Sequence, residues 1–351
     1  MTERTPRFLV IRRDNIGDLV CTTPLIHALR SRHPGAQIDA LVNTYNAAVL
    51  DRNPDVNAVH VYSKAKHREA GQSVLGVYWE RLKLLARLRR QRYDYAILAG
   101  STFQSHALRT ARLARPAHLI GFVHERNYAG PIDMAVWKDP KEIVHEVEVV
   151  QRLLRPLGIE EAPGPLRVFP DPAAVAAARA RLESLPVDNL VGLHISARSL
   201  DRRWPAEKFI ALARALCERH RCGVLLFWSP GPEDHPQHPG DDRKAQIILD
   251  GCAGLPVHGF HTDRLDELIT GIELCRAVVC SDGGAMHLAA ALRKDVVCFF
   301  GREYPERWYP WQTRHVLLRK ESREVGDIGV EETCAAYESL LTGSVGTDLR
   351  Q

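Results

Sequence analysis

The chain has 351 residues, 45% apolar and 26% charged, with a net charge of +4. This balance excludes a mainly disordered chain, and at roughly 100–200 residues per domain the length predicts two domains. No apolar run approaches the ~18–20 residues of a membrane span, the opening stretch lacks a signal-peptide core, and no motif points to nucleic acid. The expected setting is cytoplasmic. Mild basicity favours an anionic ligand or surface. None of the eight cysteines forms a Cys-x-x-Cys, so buried, reduced thiols are expected and a cysteine-based metal site is not.

Strand and helix patterns alternate from the first residues onward. Phe8-Leu9-Val10-Ile11 is a short apolar run, and Leu25, Ile26 and Leu29 lie on one side of a helical stretch. Between them, Asn15-Ile16-Gly17-Asp18 makes a tight turn. Strand, turn and helix open many nucleotide folds, but the Gly-x-Gly-x-x-Gly of a dinucleotide site is absent. Asp18 stands where phosphate would be expected. It reads either as a helix cap or as a functional acid. Strands are predicted at 7–13, 37–43, 57–62, 94–99 and 118–123, with helices at 22–33, 74–92, 103–114 and 141–156. That alternation means a parallel sheet with helices on both faces.

Two basic stretches stand out in this half. Lys64, Lys66, His67 and Arg68 follow the third strand. In the helix at 78–93, Tyr78, Leu82, Leu85 and Leu88 share one side, and most of the arginines lie elsewhere. The expected reading is a packed helix with a solvated basic face; the alternative is a helix resting on an anionic membrane.

Residues 160–172 carry four prolines and a glycine without helical period, the mark of a linker. The alternation then restarts. Strands are predicted at 190–195, 223–228, 277–281, 296–300 and 315–318, and helices at 173–184, 205–220, 241–251, 264–275, 285–293 and 331–341. The expected organisation is an N-terminal domain at 1–160, a linker at 161–172, a C-terminal domain at 173–330, and a final helix and tail at 331–351. Both domains are read as doubly wound α/β units, and ligands bind at the carboxyl ends of strands in such sheets.

Three loops of the second half follow strands. Ser196, Arg198, Arg202 and Arg203 precede Trp204-Pro205, with proline at the favoured first helical position. Arginines here suit a diphosphate, or form a solvated basic loop. Residues 228–246 hold Glu233, Asp234, His235, His238, Asp241 and Asp242, but prolines interleave them and no known metal spacing fits. A loop over the base or ribose of a nucleotide is the preferred reading. Asp282-Gly283-Gly284 ends a strand and opens a helix of small residues carrying His287. Glycines allow close backbone approach, and a helix start offers free N–H groups and partial positive charge to an anion. The plain alternatives are a turn with an N-cap and a histidine satisfied in the core.

Taken together these stretches resemble glycosyltransferase family 9, the heptosyltransferase family of lipopolysaccharide core assembly. Ile16-Gly17-Asp18 and Thr23-Pro24-Leu25 resemble its N-terminal signature. Arg202-Arg203-Trp204-Pro205 resembles its Lys/Arg-x-Trp-Pro loop. Asp282-Gly283-Gly284-Ala285-Met286-His287 resembles its Asp-Thr-Gly-x-x-His element. The resemblance implies a GT-B fold, with two Rossmann-like, doubly wound parallel-sheet domains facing a central cleft. It implies inverting, metal-independent transfer, with the acceptor on the N-terminal domain and the nucleotide-sugar on the C-terminal one.

Residue by residue, the resemblance makes Asp18 the general base. Ser196, Arg198, Arg202, Glu233, Asp282, Gly283, Gly284 and His287 are expected at the donor, and Gly17, Thr22, Lys64, Lys66 and Arg68 at the acceptor. No metal and no cofactor is expected. The donor is expected to be ADP-heptose and the acceptor a lipid-linked or other envelope glycan, which leaves open a peripheral contact with the inner membrane. Three departures bear on donor identity more than on fold. Gly283 replaces a threonine, the 196–204 loop is one residue longer than the family's, and the 228–246 loop is extended and proline-rich. Two other readings are an epimerase of similar fold and a non-catalytic nucleotide-sugar-binding protein.

Overall fold

The computed structural model describes residues 5–62, 74–182, 185–234 and 240–343. The chain divides into two compact units, Met1–Arg167 and Val168–Gln351. In the first, the elements are β1 (Arg7–Ile11), α1 (Ile16–Val20), α2 (Thr23–Arg32), β2 (Gln37–Asn43), β3 (Ala58–Tyr62), α3 (Val74–Gln91), β4 (Tyr95–Leu98), α4 (Ser105–Ala114), β5 (His118–Val123), β6 (Met134–Trp137) and α5 (Glu146–Gln151). The sheet runs β3-β2-β1-β4-β5-β6, and every pair is parallel. This is the Rossmann order, which reverses direction between β1 and β4.

The second unit holds α6 (Pro172–Arg181), β7 (Leu190–His194), α7 (Ala206–His220), β8 (Gly223–Phe227), α8 (Asp242–Gly251), β9 (Val257–Gly259), α9 (Leu265–Leu274), β10 (Ala277–Ser281), α10 (Gly284–Ala291), β11 (Asp295–Phe300), α11 (Pro305–Trp308), β12 (His315–Arg319) and α12 (Val330–Thr342). Its sheet runs β12-β11-β10-β7-β8-β9, again all parallel. It reverses between β7 and β10.

The central strands form because their residues are apolar, mostly β-branched or leucine, and buried on both faces, as parallel strands require. Buried and exposed positions do not alternate along them. Phe8, Leu9, Val10 and Ile11 are all buried, as are Val278, Val279 and Cys280. In the first unit Leu9, Ile11 and Leu98 pack against Leu84 and Leu88 of α3 and Leu108 of α4. In the second, Val191, Leu193, Val279 and Phe299 pack with Trp204, Phe209 and, from α12, Tyr337. All eight cysteines are free, and all but Cys217 are buried.

The structure departs from the sequence expectations at several places. Residues 15–18, expected as a tight turn before a helix at 22–33, are the N-cap and first turn of a separate helix, α1, and the short α11 was not expected. The structure also adds β6 and β9, which the apolar pattern does not predict. Both are short, partly exposed edge strands: β6 is four apolar residues set among loop residues, and β9 is three residues centred on His258. The helix expected at 141–156 is only α5, followed by a 3₁₀ turn at Arg152–Leu157 that contains Pro156. Proline lacks the N–H an α-helix needs. In α3 the buried residues are Leu84 and Leu88, while Leu82 is exposed; the side chain of Tyr78 is outside those described. The proline-rich stretch is anchored on the first unit: Leu166 is buried, and the Arg167 N–H donates to Thr23 Oγ1 at 2.9 Å. Among the described residues no helix is long and apolar enough to cross a membrane.

Candidate functional site: two switch points

Ligands in open α/β sheets bind beyond the carboxyl ends of the strands, where the strand order reverses. Each unit has one such point, and each holds a carboxylate at the turn that follows a central strand.

In the first unit β1 ends at Ile11 and the next side chain, Arg12, turns inward. It is 2% exposed. One guanidinium there meets three carboxylates: Asp18 Oδ1 at 2.5 Å, Glu146 Oε1 at 2.8 Å and Asp14 Oδ2 at 3.2 Å. It also donates to the carbonyl of Ala99, beyond β4. A charge this deep is tolerable only when paired and hydrogen-bonded. Burial opposes the charge, but the three acids hold Arg12 above its ordinary value.

Asp18 is the third residue of α1. Its Oδ2 accepts from the backbone N–H of Asn15 at 3.0 Å and from Asn15 Nδ2 at 2.9 Å. Burial alone would raise its pKa. Arg12 and the Asn15 donors outweigh that, and the carboxyl lies below the ordinary aspartate value. A carboxylate has about four acceptor positions. Arg12 and Asn15 fill three of them, and the side chain retains 14% exposure. The arrangement therefore offers an ionised carboxylate with a position left for one more donor.

The turn under Asp18 is built from outside. Asn43, at the end of β2, donates through Nδ2 to the carbonyls of Arg13 and Asp14 at 3.0 and 2.8 Å. Gln104 donates to Asp14 at 2.8 Å. Thr22 is fully buried, and its hydroxyl donates to the Asp18 carbonyl at 2.8 Å. Gly17 is buried within α1. As placed, these two residues frame the Asp18 turn and present no side-chain group to a ligand. Lys64, Lys66 and Arg68 lie outside the described residues.

In the second unit, β10 ends at Ser281 and Asp282 follows. Arg202 NH1 donates to Asp282 Oδ2 at 3.0 Å, and NH2 to Glu303 Oε1 at 2.5 Å. Asp282 is 9% exposed. Burial pushes it up, Arg202 pulls it down and Glu303 pushes it up again, so that it titrates at about 6. Gly283 is extended, and a Cβ there would meet only the Ser281 carbonyl oxygen at 3.9 Å. α10 then begins at Gly284, where unpaired N–H groups are expected of any helix start. His287, on its first turn, is buried, and its ring meets that of Trp308 edge-on at 5.9 Å.

Trp204 explains how Arg202 is held. Its ring is buried, packs edge-on against Phe209 at 4.9 Å and donates through Nε1 to the Ile328 carbonyl at 3.0 Å. The indole pins the loop two residues after Arg202. From the other side, Ser281 Oγ donates to the Arg202 carbonyl at 2.7 Å.

The sequence model of glycosyltransferase family 9 (heptosyltransferase) matches residues 81–336. The chain belongs to glycosyltransferase family 9. Lipopolysaccharide heptosyltransferase 3 of Escherichia coli (strain K12) is 26% identical over 349 residues, covering 93% of this chain and 95% of that protein. Among solved structures, the family 9 glycosyltransferase from Veillonella parvula DSM 2008 superposes with a TM-score of 0.78 at 19% identity, over 98% of this chain and 99% of that one. E. coli ADP-heptose LPS heptosyltransferase II does so at 0.77 and 22%, over 96% and 99%. The two Rossmann-ordered sheets are those of the GT-B fold, and the protein is a glycosyltransferase.

Within this glycosyltransferase, Ser196 follows β7 and its Oγ accepts from the Ser229 N–H at 2.7 Å, joining the loops after β7 and β8. Arg198 and Glu233 lie on those loops. His235 and His238 lie outside the described residues. Asp242 is committed to the 228–246 loop: its two oxygens accept from Trp228 Nε1 at 2.8 Å and the Gly231 N–H at 2.9 Å. Among the described residues, no group of three or more His, Cys, Asp and Glu could hold a metal ion.

The sequence reading of this glycosyltransferase missed Arg12, Glu146, Asn43, Glu303 and Lys244. Lys244 Nζ donates to the Ile195 carbonyl at 2.9 Å, and burial brings its pKa down to about 8. An arginine directly after an apolar strand was the one available signal for Arg12. The others become partners only across long sequence distances.

Proposed function

We propose that this glycosyltransferase moves a heptose-type sugar from ADP-heptose to a lipopolysaccharide core or other envelope glycan, with inversion and without a metal or cofactor. The observation that carries the reading is the Asp18 carboxylate: ionised, fixed by Arg12 and Asn15, and left with one acceptor position at the switch point of its sheet. Its chemistry fits a general base. An acceptor hydroxyl hydrogen-bonded at that position gives its proton to Asp18 as its oxygen attacks the anomeric carbon. Such help is worth ~10²–10⁴-fold.

The bond from the anomeric carbon to the diphosphate breaks on the opposite face, which inverts the centre. The departing diphosphate gains charge, and Arg202 together with the start of α10 is suited to receive it. In this reading Asp282, His287 and the loops carrying Ser196, Arg198 and Glu233 serve the donor. Lys64, Lys66 and Arg68 serve an anionic acceptor, and the enzyme works at the cytoplasmic face of the inner membrane. Support for the sugar and nucleotide comes from the relatives: the E. coli proteins are lipopolysaccharide heptosyltransferases, one of them named for ADP-heptose.

The test is a titration of the purified protein with ADP, UDP, GDP and CDP, with and without EDTA. The expected result is a preference for ADP that EDTA leaves unchanged. Preference for UDP or GDP would discard heptose, and a metal requirement would discard the arginine-and-helix account of the leaving group.

A further inference from the structure

α3 exposes what its sequence was expected to bury. Leu84 and Leu88 point into the core with Ala107, Leu108 and Ala111 of α4, so α3 and α4 share one packed face. On the opposite side of α3, Trp79 is 60% and Leu82 59% exposed. Trp79, Leu82 and Ala86 follow helical spacing and form one outward stripe. Lys83, Arg87 and Arg90 flank it and are exposed too. Lys83 bonds Glu80 at 2.8 Å and lies 5.8 Å from the Trp79 ring centre. The adjoining α4 adds exposed Arg109 and Arg112, and Arg89 Nε ties the two helices by donating to the Leu113 carbonyl at 2.7 Å.

Charge decides what such a face fits. Residues 80–115 carry nine Lys and Arg against two Asp and Glu, a net +7, in a chain whose total is +4. This one segment holds more than the positive excess of the whole chain. A protein partner would be matched by shape, and an outward helix stripe is convex. Two large apolar side chains raised among flexible cations match a different surface, where indole and aliphatic groups enter the headgroup layer and the cations meet phosphates. Basic residues near an anionic leaflet contribute about fivefold each in affinity, and the effect fades within a Debye length of roughly 8–10 Å.

We propose that the outer face of α3, with Trp79 and Leu82 as anchors and the exposed cations of α3 beside them, docks this protein onto an anionic phospholipid surface. The proposal names the part of the molecule behind the membrane setting given above. It does not depend on the nucleotide, the sugar or the role of Asp18.

The experiment is co-sedimentation of the full chain with phosphatidylcholine vesicles, with and without phosphatidylglycerol, at low and high salt. Binding is expected only with phosphatidylglycerol and is expected to weaken as salt rises. The double variant Trp79→Ser/Leu82→Ser should bind at least tenfold more weakly, with thermal unfolding and nucleotide binding unchanged. Arg87→Glu/Arg90→Glu should do the same and remove most of the salt dependence. Equal binding by wild type and both variants would overturn the proposal, as would absence of binding to the anionic vesicles. So would a concentration-dependent dimer, in lipid-free buffer, that Trp79→Ser/Leu82→Ser dissolves, since the stripe would then be covered by a second copy. Failure of the wild type to bind ADP would count against the proposed reaction and leave the vesicle result standing.

Discussion

The two switch points share a topology and hold opposite aspartates. Asp18 follows β1 and Asp282 follows β10, each at the edge of the reversal in its own sheet. Asp18 lies below the ordinary carboxylate value, whereas Asp282 is pushed up to about 6. Burial acts the same way on both. The difference lies in the donors and the near charges: Asp18 takes a short bond from Arg12 and two from Asn15, while Asp282 takes one from Arg202 and feels the like charge of Glu303. A fold supplies a position, and the donors and charges around it set the proton chemistry. In the proposed reaction this separates a base that starts out ionised from a carboxyl that responds near neutrality.

The largest effect tests the first half of that contrast. Asp18→Asn keeps the Arg12 contact and removes the base, so kcat should fall ~10²–10⁴-fold while the donor KM stays near wild type. Steady-state transfer kinetics measure this. If kcat holds and the donor KM rises instead, the two points do not divide the work as argued.

Arg202→Gln should do the reverse. Charge-assisted hydrogen bonds are worth about 1.5–3 kcal/mol, so nucleotide affinity should drop roughly 10- to 100-fold, read by calorimetry. An unchanged affinity would move the donor away from the second switch point.

Asp282→Asn is the smallest effect and sharpens the comparison through stability. The folded pKa of Asp282 is raised above the ordinary 3.8. Folding is therefore favoured while the group is protonated, below pH 3.8, and that advantage is lost as pH rises through about 6. Asparagine never ionises. The variant should match wild type near pH ~3.5 and exceed it near pH ~7.5 by ~1–3 kcal/mol, at about 1.4 kcal/mol per pH unit. Denaturant unfolding at the two pH values checks it. Equal stability at the higher pH would mean that Arg202 compensates the buried charge fully, and the contrast between the switch points would close.

Much of this architecture was legible in the sequence. The central strands are continuous apolar runs because parallel strands are buried on both sides. The edge strands β6 and β9 were not legible, because at four and three residues they do not stand out from the loops around them. α3 shows the limit of periodicity when leucines crowd a helix: with leucine at 82, 84, 85 and 88, several faces qualify. Packing against α4 chose Leu84 and Leu88 and left Leu82 outside. In the second unit the Trp204-Pro205 pair was legible as a motif, but its physical role was not. The indole is a buried peg for the Arg202 loop.

Sequence alone determined the two doubly wound units and the positions of Asp18 and Asp282 just beyond a strand of each. Each follows from local pattern: apolar runs, helical spacing, and glycine or proline at the breaks. Tertiary structure alone decided what those two aspartates are. Glu146 reaches Arg12 from 134 residues away, and Glu303 reaches Arg202 from 101. Burial and charge depend on distance in space, and no local pattern records which distant side chain will arrive to share an arginine.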